Sequence, residues 1–200
     1  LLTLTLITDR RRLEGRDLAD LVREAAGAGV DRVQVREKDL EGRRLRALVG
    51  EVLAATAGSA TRVLVNGRPD VAAAAGAHGV QLPEDGLPVD QVKRAFPDLV
   101  LGASRHTVEG ARRAEAEGAD FVLLGPIFAT PGKESRAIGL APLREATRAM
   151  GIPVHAVGGI GPGNARQVVE AGARGLAAIR AFLDAPPAQV VRALRGMGPA

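Results

Sequence analysis

The chain contains no cysteine, no tryptophan and no tyrosine, and only four phenylalanines among its 200 residues. Without cysteine there is neither a disulfide nor a thiolate metal site. With so few aromatic rings there is no stacking platform for single-stranded nucleic acid. A net charge of +4 and a pI of about 10.5 therefore do not point to DNA or RNA. The arginines are spread along the chain, and an anionic small substrate accounts for them better. No apolar run reaches the ~18 residues of a membrane span. The opening LLTLTLITDR is apolar but carries no basic leader, so a first strand is expected rather than a signal peptide. These absences lead us to expect a cytoplasmic protein with no membrane partner and no nucleic-acid partner.

What is present is ordinary in amount, with 46% hydrophobic and 25% charged residues, and regular in order. An apolar, β-rich run ends in polar residues or glycine, and an amphipathic Ala/Leu/Arg-rich stretch follows. Strands are predicted at 2–9, 31–37, 62–67, 78–83, 99–106, 119–127, 153–160 and 175–182. Helices are predicted between them at 16–29, 42–58, 68–77, 89–96, 107–118, 140–150 and 163–172, and after the last strand at 186–196. Alternating strands and helices mean parallel pairing. Eight such units in one domain spanning 1–200 predict a closed (β/α)8 TIM barrel. The rival is an open doubly wound sheet, which would need a GxGxxG at the first βα turn that the sequence lacks.

In such a barrel the chemistry gathers at the C-terminal ends of the strands. The run VQVREKDL at 33–40 ends the second strand with Gln34, Arg36 and Lys38 at alternate positions, hence on one face. Two cations there call for an anion. Thr8 and Asp9 lie at the end of the first strand, Asn66 of the third, Gln81 of the fourth, and Ser104 and His106 of the fifth. Thr130 and Lys133 lie in the long loop 128–139 after the sixth. Asp9, Asn66 and Ser104 could each merely cap a turn, but polar residues at nearly every strand end converge on one mouth. AVGGIGPGNA places Gly158 and Gly159 after strand 7, where backbone can approach a ligand closely. With Ala178 and Ile179 at the end of strand 8 they form the expected phosphate site, because barrels commonly bind phosphate in these two loops.

The motifs VQVREKDL, VNGRPDVAAAAGAHGVQLP, GASRHT, ADFVLLGPIFATPGK, AVGGI and GLAAI resemble, in order and along nearly the whole chain, the thiamine phosphate synthase/TenI superfamily. The resemblance implies a phosphorylated thiazole as small-molecule partner and leaves homo-oligomerisation open. Its synthase branch joins hydroxymethylpyrimidine pyrophosphate to thiazole phosphate with Mg2+. Its TenI branch isomerises a thiazole carboxylate phosphate to the aromatic tautomer and needs no cofactor. The synthase has Asp after the Asn of strand 3, where this chain has Gly67, and Ser or Thr before the loop Lys, where this chain has Gly132. VQLPEDG looks like the TenI branch. The expectation is therefore a thiazole tautomerase, an isomerase with no metal, in which His106 is the acid/base, since histidine exchanges protons near neutral pH. Gln34, Arg36, Lys38, Asn66, Ser104, Thr130 and Lys133 would bind substrate, and Asp70, Glu84 or Asp85 would be the substitutes were a metal held. Thiamine phosphate synthase is the alternative, and a non-catalytic phosphate-ligand-binding regulator the third reading.

Overall fold

The computed structural model of the protein describes residues 2–130 and 137–197. Eight strands, β1 (Thr3–Ile7), β2 (Arg32–Val35), β3 (Arg62–Asn66), β4 (Gly79–Leu82), β5 (Val100–Arg105), β6 (Phe121–Leu124), β7 (Val154–Val157) and β8 (Gly175–Ala178), pair in sequence order. They close into a barrel, and every pairing is parallel, including β1 with β8. The helices are α1 (Leu18–Gly27), α2 (Gly42–Ala55), α3 (Pro69–Ala75), α4 (Val89–Ala95), α5 (Val108–Ala116), α6 (Leu140–Ala149), α7 (Ala165–Glu170), α8 (Arg180–Leu183) and α9 (Pro187–Arg195). This is the expected TIM barrel. Among the described residues no helix is long and apolar enough to cross a membrane.

Strand alternation sorts the side chains into two sets. Outward positions such as Leu4, Leu6, Val33, Val35, Val63, Val65, Val80, Leu82, Leu101, Val122, Leu124 and Leu176 are buried against the helices, in one continuous core. Each such side chain contributes roughly 1.5–3 kcal/mol by leaving water. Inward positions hold a different population. Towards the mouth Ile7, Leu123 and Ala177 form a small apolar plug. Deeper, Arg32 lies over Phe121, 4.1 Å from the ring centroid, and Phe121 packs on His155 with centroids 5.0 Å apart. Space for these large groups is made by glycine, since a Cβ on Gly102 would stand 2.3 Å from Phe121 Cζ.

The strands are shorter than their predicted runs, and the largest difference lies after β8. Residues 179–182, expected as strand, turn instead into α8, with the Ile179 carbonyl accepting from the N–H groups of Phe182 at 3.1 Å and Leu183 at 3.2 Å. The turn buries Phe182 and Leu183, which a straight strand could not place on one side.

Candidate active site

The β2 side of the mouth is the most heavily charged. Gln34 is buried and points into the barrel, while Arg36 is partly exposed and Lys38 exposed. Neither cation has a carboxylate partner among the described residues, whereas Arg10, Arg11 and Arg12 beside them all do. Arg11, Arg12, Arg36 and Lys38 line, with Asp9, Glu37 and Asp39, a cleft of about 390 Å³. Between these two cations Glu37 points to the opposite, helix-facing side of the strand. Glu37 is 5% exposed and accepts from the Thr8 hydroxyl at 2.6 Å and from the Arg10 backbone N–H at 3.1 Å. It also accepts from the Arg10 guanidinium at 3.1 Å. Arg10 in turn forks onto Asp39. This pairing holds the Asp39 carboxyl well below its ordinary range and raises the Arg10 guanidinium, through the hydrogen bond they share first of all. Sequence reasoning passed over Glu37 and Arg10. Their signal was available: Glu37 continues the outward-facing series of Val33 and Val35, where an isolated charge requires a partner.

The β3–β5 side supplies neutral polar groups. Asn66 ends β3 and pairs in register with Gln81. Gln81 is buried and donates through Nε2 to the Ser104 hydroxyl at 2.9 Å, which fixes the hydroxyl's orientation over the mouth. His106 follows β5 just before Thr107, whose side chain caps α5 by accepting from Gly110 N–H at 3.0 Å. The His106 backbone N–H donates to Glu84 at 2.8 Å, and its Nδ1 bonds the Gly125 carbonyl. A carbonyl only accepts, so Nδ1 carries a proton. The other histidines lie elsewhere. His78 Nδ1 accepts from Val63 N–H at the start of β4, and His155 is buried inside the barrel.

On the β6–β8 side Thr130 is half-buried, and Lys133 lies outside the described residues. Gly158 and Gly159 both take the left-handed region, at φ 96° and 65°. A Cβ on Gly158 would sit 2.4 Å from that of Pro126, and one on Gly159 2.8 Å from that of Phe128. Glycine is thus required by the packing of this loop on the segment after β6, before any ligand is considered. Ala178 is buried on the helix-facing side and Ile179 is half-buried at the turn, so either would meet an anion through its backbone.

The carboxylates of the mouth do not fit a dedicated cage for a divalent cation. Gly67, after Asn66, takes φ 68° and brings no side chain, hence no carboxylate, to the mouth. Asp70 is held by Arg68 in a two-pronged pair at 2.8 and 2.6 Å, and this hydrogen bonding lowers its pKa. Glu84 serves the His106 N–H, and Asp85 is exposed on the same turn. Among the described residues no three Asp, Glu, His or Cys side chains gather as ligands.

A sequence model described as thiamine monophosphate synthase matches residues 4–182. The chain belongs to this family. Its members include a thiamine-phosphate synthase of Roseiflexus castenholzii, 43% identical over 192 residues, which are 94% of this chain and 84% of the relative. One from Thermus thermophilus is 44% identical over 179 residues, 88% of this chain and 86% of the relative. A solved structure described as thiamine phosphate pyrophosphorylase from Pyrococcus furiosus is 35% identical and superposes with a TM-score of 0.89, covering 98% of this chain and 95% of that one.

These likenesses overturn the expectation of a thiazole tautomerase and of an isomerase. The relatives carry the name of a transferase along nearly the full length of the chain. The expectation rested on single positions, above all a missing carboxylate. It gave too little weight to the fact that Arg and Lys can neutralise a departing anion as a metal ion does.

Proposed function

We propose that the protein is a thiamine-phosphate synthase, a transferase that joins hydroxymethylpyrimidine pyrophosphate to thiazole phosphate. The observation that carries this reading is the identity of 40–44% to relatives of that name over most of the chain. The ring nitrogen of the thiazole attacks the methylene carbon of the pyrimidine. The C–O bond to pyrophosphate breaks, its electron pair leaves with the pyrophosphate, and a thiazolium is formed. The acceleration such a step needs is stabilisation of charge that grows on the leaving group.

In this reading Arg36 and Lys38 grip the pyrophosphate. Both are cations of the mouth without carboxylate partners among the described residues, and charge-assisted hydrogen bonds to phosphate oxygens are the strong kind. Gln34, Asn66 and Ser104, the last oriented by Gln81, present donors and acceptors to the pyrimidine. Thr130, half-buried after β6, is assigned to the thiazole, and Lys133 is kept as a substrate-binding residue. Backbone at Gly158, Gly159, Ala178 and Ile179 takes the thiazole phosphate. The displacement moves no proton between carbons, so His106 has no acid–base step and serves through its bond to the Gly125 carbonyl. Mg2+ accompanies the reaction in the synthase branch, but the carboxylates here do not fit a site for it, and the charge is assigned to Arg36 and Lys38.

The test is incubation of the protein with both substrates, with and without Mg2+, following thiamine phosphate and pyrophosphate. They should appear in equal amounts. Failure to consume either substrate under both conditions removes the reading.

A further inference from the structure

Resting on the proposed function, we infer that Glu37, working through Thr8 and Arg10, is a positioning device that sets where Arg36 and Lys38 present their charges to pyrophosphate. The three residues at the turn alternate, with Arg36 partly exposed, Glu37 buried and Lys38 exposed. The buried middle residue is therefore the anchor of a cationic turn. Thr8 is fully buried at the end of β1, and its hydroxyl has two partners. It donates to Glu37 Oε1 at 2.6 Å and accepts from the Arg36 backbone N–H at 3.0 Å. The hydroxyl thus ties the backbone of one cation to the carboxylate between them. The chain on both sides is held as well: Thr8 N–H donates to the Gln34 carbonyl at 2.9 Å, and Leu40 N–H to the Glu37 carbonyl at 3.2 Å.

The same geometry explains why a carboxylate can sit beside an anion site. Glu37 bonds the Arg10 guanidinium at 3.1 Å, with only 2% of its own side chain exposed. Its negative charge is met by Arg10 and not by Arg36 or Lys38, which keep theirs for a ligand. A neutral anchor would hold Arg10 less strongly, leaving it to Asp39 alone as an ionic partner, and an unpartnered carboxylate would draw Arg36 onto itself. Glu37 and Thr8 touch no substrate in this arrangement. They limit the reorganisation that the two long cationic side chains undergo when an anion arrives.

The experiment titrates the full-length protein with inorganic pyrophosphate by calorimetry and measures steady-state kinetics, for wild type, Thr8→Val, Thr8→Ser, Glu37→Gln, Arg36→Gln and the double variant Thr8→Val/Arg36→Gln. Thr8→Val keeps the side-chain shape and removes the hydroxyl. It should weaken pyrophosphate binding and raise KM for the pyrimidine pyrophosphate about tenfold, the scale of one lost hydrogen bond to a charged group. KM for thiazole phosphate should stay as in wild type, and Thr8→Ser should restore both constants. In the Arg36→Gln background Thr8→Val should add less than its effect alone, because the residue it positions is gone. Should Thr8→Val not fold, Glu37→Gln carries the same comparison. Folded variants that bind pyrophosphate like wild type, or a Thr8→Val effect equal in both backgrounds, would overturn the inference. If the variants lose pyrophosphate as expected while wild type makes no thiamine phosphate, the positioning device stands and the proposed reaction fails.

Discussion

Inside the barrel His155 Nδ1 lies 3.5 Å from Arg32 Nη1. Arginine can only donate, so Nδ1 accepts and the imidazole is neutral. Burial, followed by the charge of Arg32, pushes the His155 pKa down from 6.5 to about 3. Burial also lowers the Arg32 pKa. Above pH 6.5 the ring is neutral in both the folded and unfolded chain. Below it the unfolded chain binds a proton that the folded protein refuses until pH about 3. Stability is therefore fully present above 6.5 and falls as pH falls, by about 1.4 kcal/mol per unit from this group. Urea unfolding at several pH values between 7 and 4 should show His155→Gln with a shallower decline than wild type. Equal slopes would mean that His155 is not a buried neutral ring.

Arg36→Gln and Lys38→Gln should each weaken pyrophosphate binding about 10- to 100-fold, the range expected for one charge-assisted contact. Thermal stability should hardly change, because neither side chain has a carboxylate partner among the described residues. Arg10→Gln makes the contrast. It strips the partner from buried Glu37 and should lower stability as well. A stability loss at Arg36 equal to that at Arg10 would place Arg36 in a structural pair.

Pyrophosphate binding should persist in EDTA. Asp70 is committed to Arg68 and Glu84 to the His106 N–H, so the protein offers a metal little and offers the anion two cations. Calorimetry with and without Mg2+ should give dissociation constants within about tenfold, a difference of under ~1.4 kcal/mol. Binding seen only with Mg2+ would show that a metal ion carries the anion's charge.

Gly158→Ala should destabilise the protein with no ligand present. At φ 96° a Cβ would fall 2.4 Å from Pro126 Cβ. Strain of ~1–3 kcal/mol would lower the melting temperature of a 200-residue chain by roughly 2–4 °C per kcal/mol. An unchanged melting temperature with weakened thiazole phosphate binding would make the glycine a purely ligand-facing requirement.

The barrel was legible because two periods are written plainly in the sequence. Strands such as Val33–Val35 and Val63–Val65 put valine outward at every second position, and the amphipathic runs between them repeat at helical spacing. The tail of β8 was not legible, since Ile179 to Phe182 read equally well as strand, and only the burial of Phe182 and Leu183 together decides for a helical turn. At the mouth, Gln34, Arg36 and Lys38 were visible from alternation alone. Alternation also marks Glu37 as an outward charge in need of a partner, but it does not identify Arg10, because their pairing joins the ends of two strands 27 residues apart in the chain, a distance no local pattern spans. The choice of reaction failed for a related reason: Gly67 records the loss of one possible ligand, but not which other side chains meet the same charge.

As the acid/base of a tautomerase His106 would carry a step typically worth ~10²–10⁴-fold. In a displacement of pyrophosphate by a ring nitrogen no proton is moved between carbons, and the residue's visible work is structural. Its Nδ1 bonds the Gly125 carbonyl, and its backbone N–H bonds Glu84. The second bond survives any side-chain change, and an asparagine amide at the same place can donate to the same carbonyl. His106→Asn should therefore fold normally and keep its turnover within about tenfold of wild type, well short of the loss expected for an acid–base residue. His106→Leu, which keeps bulk but cannot donate to Gly125, should lose more through disorder of the rim, with KM rising before kcat falls. The measurement is steady-state kinetics with both substrates for the two variants. A hundredfold or greater fall in kcat for His106→Asn, with KM unchanged, would give His106 a place in the chemical step that the displacement does not provide.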